Sequence, residues 1–159
     1  MKKTFLATGL IPFAVTKSFA KDMIKLSQPS QLLAEYYQIK DALVADNAVL
    51  ASTNAEAFLK IVNSIDYKVI LEGNINALVK DAAIISQTKD IKKQRAQFAN
   101  LSAKMVTLAK AMKLSEEPVY EVYCPVKKAN WLNSNKIIKN PYLGSAMLTC
   151  GRVVDTINK

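Results

Sequence analysis

Ile91-Lys92-Lys93-Gln94-Arg95-Ala96-Gln97-Phe98-Ala99-Asn100-Leu101-Ser102-Ala103-Lys104-Met105-Val106-Thr107-Leu108-Ala109-Lys110-Ala111-Met112 is the stretch on which the fold class rests. Ile91, Phe98, Leu101, Met105, Leu108 and Met112 recur there at steps of three, four and seven, separated mostly by lysines, glutamines and small residues. That spacing lines the large apolar side chains along one side of an α-helix and leaves the other side to water. Asp90, just ahead of the run, can accept N–H groups of the first turn and so predicts the start of the helix. Met105 and Met112 belong to the apolar stripe, where a thioether fills gaps in a core.

Working back toward the N-terminus, three more stripes follow the same rule. They are Leu32, Tyr36, Ile39 and Leu43; then Ala51, Ala55, Phe58, Val62 and Ile65; then Leu71, Ile75, Leu78, Ala82 and Ile85. Breaks are expected near Asp46-Asn47, around Asp66, at Gly73-Asn74 and over Thr88 to Asp90. Residues 29–114 therefore predict four helices joined by short turns, most simply an antiparallel four-helix bundle.

Working forward, the pattern changes after Leu114. Both cysteines, the only Trp, an Asn-Pro-Tyr turn and two glycines fall in residues 115–159. Val119 to Tyr123 alternates and is rich in β-formers, which predicts a strand, and Arg152 to Ile157 is a second candidate. Asn140-Pro141-Tyr142 and Gly144 supply turn chemistry between them. A segment this small has no core of its own, so the fold class is mainly α with a short β-containing C-terminal appendage on one domain.

The first twenty residues predict an address rather than a fold. Lys2 and Lys3 precede an apolar run from Phe5 to Val15, and Ser18-Phe19-Ala20 offers small residues where a signal peptidase cuts. Residues 1–20 are expected to be a signal peptide and residues 21–159 a single domain, periplasmic or secreted, with no membrane span once the leader is gone. Removing Lys2, Lys3 and Lys17 takes the formal charge from +9 to +6. The remaining lysines are spread out with little aromatic interleaving, so nucleic acid is not an expected partner.

The 159 residues contain no His. This excludes His-ligated haem and zinc and the His-dependent nucleophile pairs. Asp46, Asp66, Glu72 and Asp81 give no paired-carboxylate spacing. The expectation is a protein that is not an enzyme.

Tyr36-Tyr37, Lys40 to Val44, Gln94-Arg95, Phe98 and Leu101-Ser102 carry a resemblance that continues into the tail. There it rests on Val119-Tyr120, Tyr123-Cys124-Pro125, Trp131-Leu132, Asn140-Pro141-Tyr142, Gly144 and Met147 to Gly151. Over residues 32 to 157 the chain resembles the exported family called domain of unknown function 3347. That family also occurs as the C-terminal module of copper and heavy-metal efflux adaptors, so the resemblance implies metal handling and a metal-efflux adaptor or another exported protein as partner. The family commonly reads Cys-Pro-Met where this chain has Cys124-Pro125-Val126.

Cys124 and Cys150 leave three readings open. Cysteines in an oxidising compartment pair as a disulfide, here closing a loop of about 27 residues that stabilises by roughly 3–4 kcal/mol. Together with Met147, three residues before Cys150, they would instead offer the thiolates and thioether that Cu(I) selects. Free thiols, or a switch between states, are the third reading. The expected function is soft-metal binding or service to metal efflux, with Cu(I) the best-matched ion; the alternative is a disulfide-stapled protein-interaction module without metal. Trp131 and Tyr142 are expected to anchor the tail to the helices.

Overall fold

Ser27 opens the first helix, its hydroxyl accepting the Ser30 N–H, and Pro29 sits in the first turn where no intrahelical donor is needed. The computed structural model describes residues 27–158, and the expected leader lies outside them. Four helices follow in order: α1 Gln28–Val44, α2 Ala48–Asn63, α3 Glu72–Ser86 and α4 Ile91–Ala111. Asn47 caps α2 and Asp90 caps α4, each through a side-chain oxygen that accepts first-turn N–H groups. Each helix packs on the next in sequence. In addition, Tyr36 of α1 stacks on Phe98 of α4, with ring centroids 5.3 Å apart.

The stripes read from the sequence form the core, with Ile91 and Met112 only partly buried against it and two corrections elsewhere. Leu32, Tyr36, Ile39, Leu43, Phe58, Val62, Ile75, Leu78, Ile85, Phe98, Leu101 and Met105 are all buried. Leu71, placed on the third stripe by its spacing, is instead 74% exposed, because it is the residue that precedes α3 and not part of its inner face. The break expected at Gly73-Asn74 also falls earlier. Gly73 lies in the first turn of α3, and a Cβ there would meet nothing within 4 Å.

The tail folds into a three-stranded antiparallel sheet of β1 Val119–Cys124, β2 Ala129–Asn133 and β3 Arg152–Ile157, with β1 in the middle. β1 and β3 occupy the expected stretches. β2 is an addition, and it carries Trp131 opposite Val122. A 3₁₀ turn over Gly144–Met147 leads toward β3.

Aromatic rings join this sheet to the helices in one continuous series. Trp131 meets Tyr142 edge-on at 5.8 Å, Tyr142 meets Phe98 at 5.9 Å, and Phe98 stacks on Tyr36. The Tyr36 hydroxyl accepts the Leu132 N–H at 3.1 Å and shares a 2.7 Å hydrogen bond with Ser102. Tyr142 donates its hydroxyl to the Asn130 carbonyl. The short strand β2 is thus fixed by two phenols, Tyr36 on α1 and Tyr142 in the tail. Burial raises the Tyr36 phenol far above its ordinary range, so the hydroxyl is neutral at neutral pH.

Candidate functional site

Cys124 is the last residue of β1, fully buried, and the chain turns immediately after it at Pro125 to Lys128. That turn points its Lys127 N–H back at the Cys124 sulfur, 3.4 Å away. Cys150 enters from the other side, just before β3. Its N–H donates to the Met147 carbonyl at 3.1 Å, and its carbonyl accepts from the side-chain amide of the buried Asn140. Asn140 also accepts the Tyr142 and Leu143 N–H groups, so the turn at Asn140-Pro141-Tyr142 sets where Cys150 stands.

Cys124 and Cys150 are neighbours that no disulfide joins, and the Val126 backbone lies beside Cys150. Burial pushes the Cys150 thiol above its ordinary value, and the neighbouring Cys124 adds to the shift through its charge and its hydrogen bond. The Val126 N–H works in the opposite direction by favouring the thiolate. At neutral pH the Cys150 thiol therefore holds its proton, and a soft cation or an oxidant must displace it.

Met147 lies at the end of the 3₁₀ turn with its side chain 46% exposed. Its backbone carbonyl is tied to Cys150. Trp131 is fully buried and packs over Gly151, where an added Cβ would come within 2.8 Å of the indole. Gly151 has φ +155°, a conformation that side chains rarely adopt, so the residue after Cys150 must be glycine for two reasons.

Sequence reasoning had singled out the sulfurs but not the backbone donors that face them. The signal for these was Cys124-Pro125: proline starts a turn, and a turn directly after a cysteine brings later N–H groups round to its sulfur. Among the described residues no group of three or more His, Cys, Asp or Glu side chains could hold a metal ion. A separate groove of about 660 Å³ runs between α3 and α4, where buried Asp81 is tied to Lys104 and Gln97. Its lining does not include the thiol pair.

A family model described as Protein of unknown function (DUF3347) matches residues 32–117. The chain belongs to this family. The matched part of DUF3347 runs from α1 through α4 and ends just before β1, so the thiol pair lies in the tail that follows it. Neither the curated proteins nor the solved structures give a match. No helix among the described residues is long and apolar enough to cross a membrane.

Proposed function

We propose that this member of DUF3347 is an exported domain that takes a soft metal ion, Cu(I) before any other, on Cys124 and Cys150 with Met147 as the third donor. It would serve metal efflux by passing that ion to or from an efflux adaptor or another exported protein. The observation that carries this reading is the facing pair of thiols, each met by a backbone N–H of the Pro125 to Lys128 turn. Such donors favour thiolates over thiols, and sulfur is the ligand class that Cu(I) prefers. The same reading takes the four helices as an antiparallel bundle, supported by the short joins at residues 45–47 and 87–90. It assigns no enzymatic activity.

A second reading, a disulfide that staples an interaction module without metal, is favoured by the same approach of the two sulfurs and the burial of Cys124. Titrating reduced protein with Cu(I) against a competing chelator separates the two. The native protein is expected to take up a stoichiometric ion, and Cys124→Ser/Cys150→Ser to take up none; equal, weak uptake by both would overturn the metal reading. Val126 is exposed at the turn beside the pair. Val126→Met is expected to tighten binding by roughly tenfold, the effect of one added soft ligand. An unchanged or weaker affinity would detach this turn from the metal.

Export has its own test. The intact mass of the protein recovered outside the cytoplasm is expected to correspond to a chain beginning at Lys21. A chain that keeps Met1 and stays in the cytoplasm would remove the compartment on which both readings depend.

A further inference from the structure

The two sulfurs differ in access. Cys124 is wholly enclosed at the end of the central strand, whereas Cys150 is partly exposed on the approach to β3. The backbone of Cys150 is held on both sides, by the Met147 carbonyl and the Asn140 amide. Cys150 is thereby held beside Cys124 while the residue stays partly open to solvent. We infer that the pair is a thiol–disulfide exchange couple for small disulfides, with Cys150 the entry thiol and Cys124 the resolving thiol.

The chemistry closes without any further reactant. The Cys150 thiolate attacks one sulfur of a small disulfide; the reagent's S–S bond breaks, and the first thiolate leaves with the electron pair. Cys124 then gives up its proton and attacks the Cys150 sulfur, the mixed S–S bond breaks, and the second thiolate leaves. The protein has lost two electrons and two protons, and two small thiols carry them away.

This inference does not rest on the metal reading, and its test uses metal-free, reduced, full-length protein with oxidised glutathione as the probe. Mass spectrometry of the native protein should show conversion to the internal disulfide with little adduct. Cys124→Ser should accumulate a glutathione adduct at Cys150, and Cys150→Ser should react at least about tenfold more slowly, since an enclosed thiol is reached only when the structure opens. Peptide mapping of native protein after brief alkylation avoids dependence on the variants. Cys150 should be labelled well ahead of Cys124. Equal labelling of the two, or an adduct that forms as fast on Cys150→Ser, would overturn the assignment. Stable adduct on the native protein with no internal bridge would overturn the resolving role. Cu(I) uptake by protein that fails to exchange, or exchange by protein that fails to bind Cu(I), tells which of the two proposals has failed.

Discussion

Trp131→Ala is expected to cost about 3–5 kcal/mol, the range for removing a large aromatic side chain from a closed core. The indole is fully buried, meets Tyr142 edge-on, and lies against Gly151. A domain of this size is stable by only about 5–15 kcal/mol in total, so this one change removes a large share. The midpoint of thermal unfolding, followed by circular dichroism, should fall by roughly 10 °C or more. Helical content at low temperature should survive, because α1 to α4 keep their own stripes. Trp131→Phe should be far milder. Among the described residues the indole N–H finds no acceptor, so phenylalanine gives up contact area but no hydrogen bond. A loss below about 1 kcal/mol for the alanine variant would mean that the tail does not depend on this ring. Loss of the ring should also loosen Gly151 and with it Cys150, so the alanine variant should lose the difference in labelling rate between the two cysteines.

Why the helices were legible and part of the tail was not follows from the kind of signal each depends on. A helix announces itself through spacing, and Phe98, Leu101, Met105 and Leu108 sit where a period of 3.6 residues places them. Asp90 likewise declares a helix start through chemistry that only the first turn uses. Leu71 was misplaced because periodicity does not show where a helix begins, and an apolar residue just before the first turn fits the same count. β2 was missed for a different reason. Ala129-Asn130-Trp131-Leu132-Asn133 contains two asparagines, which are poor strand formers, and no clean alternation. Its hairpin loop is signalled only by Pro125, since Lys128 takes the positive φ of 51° where glycine or asparagine would advertise a turn. The strand exists because Tyr36 of α1 and Tyr142 of the tail hold it and β1 pairs along it, and Tyr36 lies 96 residues away from the N–H it holds. The candidate site divides in the same way. Sulfur is visible in a sequence, whereas the N–H groups of Val126 and Lys127 belong to every residue and acquire a role only through the turn.

Gly144→Ala is expected to cost about 2–4 kcal/mol, and the reason lies in a contact between the tail and the first interhelical turn. Gly144 has φ +55°, and an added Cβ would run into the Asp46 carboxylate and the Arg95 guanidinium. Asp46 itself sits at positive φ just past the end of α1, where its N–H and that of Asn47 close the helix onto Leu43 and Ala42. Its carboxylate accepts the Ser145 N–H at 3.1 Å and pairs with Arg95. Arg95 in turn donates to the Leu43 carbonyl at 2.8 Å and the Pro141 carbonyl at 3.0 Å. One guanidinium thus ties α1, α4 and the tail together, and a methyl group at position 144 would push it away from those acceptors. Ser145 foremost, and then Arg95, hold the Asp46 carboxyl down at about 2, against an ordinary value of 3.8. The carboxylate's contribution is therefore complete above about pH 4 and is lost as pH falls through 2. Because the side chain is 39% exposed, solvent screens the pairing and this slice of stability is small. Between pH 4 and 2, Asp46→Asn should lose less stability than the native protein. The larger effect is steric, and a double-mutant cycle isolates it. If the clash with Asp46 matters, Gly144→Ala should cost clearly less in an Asp46→Ala background than in the native one. Strict additivity of the two changes, measured by denaturant unfolding, would leave only the backbone strain at Gly144 and remove Asp46 and Arg95 as the link between tail and helices.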